Sequence, residues 1–166
     1  MDRWRGRRLA GLAAVSALLL GLTAAVAAHD GGERWIVVRD ATGAELARAV
    51  LPGSGEMAMR YRNSVYESLA EEHFRVAGDD LRLVELRADE IAVLEEYYTA
   101  VGASRSAGPR DWRIAVERPP IALPLRVQAT ELGQRTLLID QEEIELWRLV
   151  AGRDDTLVLL SVEGTP

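Results

Sequence analysis

From residue 34 onward, short runs of Val, Ile, Leu and aromatic residues alternate with clusters of Gly, Pro, Asp and Ser. The apolar runs fall at 35–38, 45–51, 57–66, 71–76, 81–86, 112–116, 125–129, 136–139 and 156–162. Turn sequences such as Asp40-Ala41-Thr42-Gly43, Pro52-Gly53-Ser54-Gly55 and Gly78-Asp79-Asp80 separate them. Regular short strands broken by turn residues predict a mostly β chain, an antiparallel sandwich or open barrel. Two segments carry helical spacing instead. Residues 90–98 place Ile91, Leu94 and Tyr98 at i, i+3 and i+7, and residues 142–150 place Ile144, Trp147 and Val150 at threes. One or two short helices are therefore expected. The proline-rich stretch 119–124 predicts an extended link between two parts of the sheet.

The densest polar chemistry lies on the hairpin 57–76. Taking 67–70 as its connection sets Asn63 opposite Phe74, Val65 opposite Glu72 and Tyr61 opposite Val76. Side chains alternate faces along a strand, so Met59, Tyr61, Asn63, Val65, Glu72, Phe74 and Val76 share the apolar face. Asn63 and Glu72 are then diagonal neighbours. Polar groups on such a face need partners, because an unpaired one costs about 1–3 kcal/mol. Either the two satisfy each other and hold the hairpin, or they form a small polar pocket at its tip. The same register sets Arg62 against Arg75, a like-charge pair, and Ser64 against His73. The candidate ligand- or partner-binding residues are Arg60, Arg62, Asn63, Ser64, Glu72 and His73. A Ser/His pair alone is not a nucleophilic site, and the surrounding Arg-Asn-Ser-Val-Tyr is no nucleophile elbow. No catalytic residue is assigned.

The first 28 residues read differently. Arg3, Arg5, Arg7 and Arg8 precede an uncharged run from Leu9 to Ala28, which ends in small residues. This is the pattern of a signal peptide cleaved after Ala27 or Ala28, or of an uncleaved membrane anchor. Either reading puts residues 29–166, a single β-rich domain, outside the cytoplasm, with membrane contact only through residues 9–28 if the segment is retained. Removing residues 1–28 takes four of the 20 basic residues and one of the 26 acidic ones, leaving 16 and 25 and a net charge of −9. An acidic surface without a basic cluster argues against nucleic acid and anionic lipid as partners. Every cation is Arg, and there is no cysteine, so disulfides and a lipidated N-terminal Cys are excluded.

Two histidines and no cysteine leave little from which to build a metal site, and no phosphate loop or dinucleotide fingerprint is present, so no cofactor is expected. Trp35, Trp112 and Trp147 read as core plugs. Tyr97 and Tyr98 are adjacent, so they cannot both face the core, and one is expected at a surface.

Residues 51–86 also resemble a family. Leu-Pro-Gly comes first, then Arg60-Tyr61-Arg62-Asn63-Ser64-Val65, then Glu71-Glu72-His73-Phe74-Arg75-Val76 and Asp80-Leu81-Arg82-Leu83-Val84-Glu85. This run is similar to DUF1850, a family of small exported or membrane-tethered bacterial proteins. Asn63 stands where that family carries His, so a role needing imidazole does not transfer, whereas hydrogen bonding does. The family's Gly-Ala-Gly-Leu stretch has no counterpart. The resemblance implies an accessory of a TAXI-type TRAP solute-uptake system, with the permease or the solute receptor as partner. The alternative is a stand-alone extracytoplasmic binding domain for a small anion or peptide.

Overall fold

The computed structural model describes residues 32–164, so the signal or anchor segment lies outside the described residues. The chain is mostly β. Its strands are β1 (Arg34–Asp40), β2 (Glu45–Val50), β3 (Glu56–Arg62), β4 (Leu69–Ala77), β5 (Asp80–Ala88) and β6 (Ser104–Arg105). These are followed by β7 (Trp112–Ala115), β8 (Ile121–Ala122), β9 (Leu125–Gln128), β10 (Thr136–Ile139), β11 (Glu142–Glu145) and β12 (Leu157–Gly164). A π-helical turn, Val93–Tyr97, and a short helix, α1 (Leu146–Leu149), complete the described elements.

Two antiparallel sheets result. The smaller runs β2-β1-β12-β9 and the larger β11-β10-β3-β4-β5-β7-β6, with β8 pairing the start of β5. Alternation along each strand turns one face of each sheet inward. Ile36, Val38, Val127, Val158 and Leu160 from the small sheet join Met57, Met59, Phe74, Leu81, Leu86 and Leu137 from the large one in a single core. Each fully buried Leu, Ile or Met side chain there contributes about 1.5–3 kcal/mol. The turn 52–55 carries the chain from β2 to β3. Gly55 holds a positive φ of 71°, and a Cβ there would meet the Val76 carbonyl oxygen at 3.0 Å. Its own carbonyl accepts the Val76 N–H at 2.8 Å, so only glycine fits this approach. Residues 116–124 link β7 of the large sheet to β9 of the small one, as the proline stretch predicts.

Both helical expectations are met only in part. Residues 93–97 wind as a single π turn that buries Val93 and Leu94. In 142–150 the first half is strand β11, because Ile144 pairs with Leu137, and only the last turn is helical. The charged β11 leaves a free edge on the large sheet.

The hairpin register differs from the sequence expectation. Met57 pairs with Phe74, Met59 with Glu72, Arg60 with Glu71 and Arg62 with Leu69. Strand β3 stops at Arg62 because the Asn63 side chain bends the chain into a turn. Its Oδ1 accepts the N–H groups of Val65 and Tyr66 at 2.9 and 3.1 Å. The connection is thus 63–68 rather than 67–70. The shift spans an even number of residues, so the inward face of both strands is the expected one while every cross-strand partner changes. Arg62 no longer opposes Arg75, which instead pairs with Glu56 at 2.9 Å. Asn63 and Glu72 are not neighbours, and Ser64 sits in the loop while His73 faces Ala58.

The tryptophans are a second correction. Trp35, Trp112 and Trp147 are partly buried rather than full core plugs, and of the three Trp112 packs against the core. Each lies beneath a guanidinium, of Arg48, Arg105 and Arg148 respectively, at 5.7, 5.3 and 4.8 Å from the ring centroid. An arginine stacked on an indole covers its face while keeping its own charge in water.

Candidate functional site

Strand β4 carries two adjacent glutamates, and alternation sends them to opposite faces of the large sheet. This divides the six sequence candidates into two groups. Arg60 and His73 lie on the outer face with Glu71. Glu72 points inward, and Arg62, Asn63 and Ser64 line the opening beside it.

On the outer face, the cross-strand row Arg60, Glu71, Arg87 alternates in charge. Glu71 is only 4% exposed. Its Oε2 contacts His73 Nε2 at 2.9 Å, and its Oε1 forms an ion pair with Arg110 Nε at 2.7 Å. Burial alone would push the Glu71 carboxyl up, but the His73 hydrogen bond, Arg110 and Arg87 together hold it below the usual value. Arg110 reaches this position from a left-handed backbone conformation, φ 50°, and its N–H donates to Asp89 Oδ1 at 3.0 Å. Arg60 grips Glu143 through both terminal nitrogens, which raises the Arg60 pKa and lowers that of Glu143. A concavity of about 540 Å³ lies on this face over Ala58, His73, Glu85, Arg87 and Leu138. Most of its polar groups are engaged, His73 with Glu71, Glu85 with Arg87 at 3.0 Å and Arg75 with Glu56 at 2.9 Å, whereas Asp140 has no partner among the described residues.

The inner face is built otherwise. Tyr98, in the turn that follows the π-helical segment, donates its hydroxyl proton to Glu72 Oε1 at 2.7 Å. That commits the only Tyr98 proton, so the Tyr61 hydroxyl donates to Tyr98 at 2.7 Å. Burial pushes the Tyr61 hydroxyl up to about 12, against the opposing effect of its bond to Tyr98. Burial, with Glu72 alongside, pushes Tyr98 far higher. The second oxygen of Glu72 has no protein partner among the described residues. Glu72 borders a cavity of about 360 Å³ walled by Met59, Phe74, Leu83, Ile121, Leu125 and Val127. The cavity lies between β9, at the end of the small sheet, and β3, β4 and β5 of the large one. Arg126 and Arg135 border the same cavity, and neither forms an ion pair among the described residues. The Arg135 guanidinium rests on the Tyr61 ring at 5.1 Å.

This cavity meets a second hollow of about 220 Å³ at Gln128 and Arg135. Two loops form its mouth. The Arg62 N–H donates to the Gly133 carbonyl at 2.8 Å, and Asn63 N–H to that of Ser68 at 2.8 Å. The Tyr66 hydroxyl, bonded to Glu96, ties the 63–68 loop to the π turn. These contacts gather Val65, Tyr97 and Leu132, which are 75%, 59% and 62% exposed, around one opening. Arg62 and Ser64 lie between them. Tyr97 is thus the surface member of the tyrosine pair and Tyr98 the buried one.

Comparison of the chain with protein families, with curated proteins and with solved structures returns no match.

Of the sequence candidates, Glu72, Asn63, Arg62 and Ser64 border these two hollows, while Tyr61, Tyr98 and Arg135 were not among the candidates. The Tyr61–Tyr98 contact joins residues 37 apart in the chain, and no local pattern encodes it. The one available signal was the tyrosine pair at 97–98. Ser64 and His73 are not brought together, since Ser64 sits in the 63–68 loop and His73 pairs with Ala58 on the outer face. No group of three His, Asp or Glu among the described residues is placed to hold a metal ion.

Proposed function

We propose that this protein is a non-enzymatic, extracytoplasmic docking domain: a two-sheet sandwich that presents its 63–68 and 130–135 loops to another protein. The observation that carries this reading is the clustering of Val65, Tyr97 and Leu132 around one opening, with Arg62 among them. Scattered exposed apolar residues are ordinary, but three on adjoining, hydrogen-bonded loops form the kind of patch that marks a contact surface. An aromatic and an arginine beside aliphatic side chains match the composition of interface centres. The resemblance of residues 51–86 to DUF1850 gives the partner: the permease or the solute receptor of a TAXI-type TRAP system. A domain exported by residues 1–28, or tethered by them, is positioned to meet either one.

The test is a pull-down of the full-length tagged protein from detergent-solubilised native membranes, run beside a Val65→Asp/Leu132→Asp double variant. The wild type is expected to retain a permease or solute receptor, and the variant to lose it. Equal recovery by both, or none by the wild type, overturns the reading.

A further inference from the structure

The cavity under β9 is separate from the docking rim in what it can recognise. We propose that it binds a small apolar amino acid, a zwitterion whose ammonium meets Glu72 and whose carboxylate meets Arg135, with its side chain on the Met59, Phe74 and Leu83 wall.

Charge at this cavity is unevenly satisfied. Glu72 borders the cavity with one oxygen occupied by Tyr98 and the other without a partner among the described residues. A carboxylate offers about four lone-pair sites, so accepting capacity remains there. Arg135 uses only its flat face, against Tyr61, and leaves its N–H donors free. These opposite charges border one cavity without pairing with each other. Several other charges on or against the large sheet are paired: Arg60 with Glu143, Glu85 with Arg87, and Glu71 with Arg110. Leaving opposite charges apart beside apolar walls costs desolvation, which a ligand bridging them would offset.

Charge complementarity then narrows the ligand. A simple anion would meet Arg135 and Arg126 but also Glu72. A simple cation would meet Glu72 but also two guanidinium groups. A zwitterion satisfies both signs. The apolar residues of the wall need a hydrocarbon body, and about 360 Å³ lies within the roughly 300–1,000 Å³ of small-molecule sites. Tyr98 fixes the Glu72 carboxyl from one side, and Tyr61 in turn fixes Tyr98, so the acceptor is held in place before the ligand arrives.

The experiment is a thermal-shift and calorimetric titration of the full chain with L-leucine. Isocaproate, which lacks the amine, and isoamylamine, which lacks the carboxylate, serve as controls. The expected result is a Tm rise of roughly 5 °C at saturating leucine, with neither control producing it. Glu72→Gln, which keeps an acceptor for Tyr98, and Arg135→Met, which keeps packing on Tyr61, are each expected to weaken leucine binding at least about tenfold. Val65→Asp is expected to bind leucine as the wild type does, which separates this site from the docking rim. No shift with leucine overturns the proposal. So does a control that binds as well as leucine, or a Glu72→Gln protein of unchanged affinity.

Discussion

Glu71 and Glu72 are neighbours in sequence and opposites in circumstance. Glu71, on the outer face, is the more buried of the two and the better satisfied, with His73 and Arg110 in contact and Arg60 and Arg87 across its flanks. Glu72, on the inner face where a core strand would carry a hydrocarbon, keeps one oxygen open. A buried charge with all its partners present is part of the framework. A charge on the apolar face with a partner missing, beside a cavity, is where a ligand would be recognised. Burial alone does not separate these cases, but counting partners does.

The sharpest way to break the comparison is Glu71→Gln. It leaves Arg110 without its counter-charge, and removing one member of a buried pair costs about 3–5 kcal/mol. Urea denaturation would measure the loss, and a change under about 1 kcal/mol would show Glu71 to be dispensable. The same pair of proteins tests the sign of the electrostatics. The Glu71 carboxyl is held below its ordinary value of 4.5 in the fold, so its contribution is complete above that value. It is lost as pH falls through the folded pKa. The stability gap between wild type and Glu71→Gln should therefore close under acid.

Tyr98→Phe comes next, with an expected loss of about 2 kcal/mol, because Tyr61 is left without an acceptor and Glu72 without a donor. Alkaline absorbance titration sharpens the point. The Tyr61 hydroxyl is expected to ionise near 12 rather than at its ordinary 10.0. Since its folded pKa is raised, the associated stability is complete below 10.0 and lost as pH rises toward 12. Asn63→Ala is expected to cost about 1 kcal/mol by removing the acceptor of two backbone N–H groups, while Asn63→Asp retains that acceptor and costs less. Val65→Asp, at an exposed loop position, should change stability by less than about 0.5 kcal/mol while abolishing docking.

Much of this architecture was legible in the sequence, and the reasons are local. Strand positions follow from period-two alternation and from turns such as 40–43 and 52–55. The inward face of the hairpin was readable because face depends only on parity. Its register was not, because register depends on where the turn begins, and a single Asn63 side chain sets that by capping two amides. The helical spacing of 142–150 misled because Ile144 gains more by pairing with Leu137 on β10 than by joining a helix. Likewise the tryptophans read as core by residue type, yet arginines stacked on them supply the cover that the interior would have given. The Glu72–Tyr98–Tyr61 chain lay beyond sequence reading because its members come from three separate elements.

Strand β11 ends the large sheet with an edge that no strand among the described residues pairs, and three of its four residues are glutamates. Another copy of the chain approaching this edge would bring like charges into opposition, so the edge resists self-association while those carboxylates are ionised. Arg60 holds Glu143 below its ordinary value, so this carboxylate keeps its charge further into acid than a free glutamate would. Past that point the edge becomes a template for a second molecule, and light scattering on an acidified, concentrated sample should record growth in particle size that returning to neutral pH reverses.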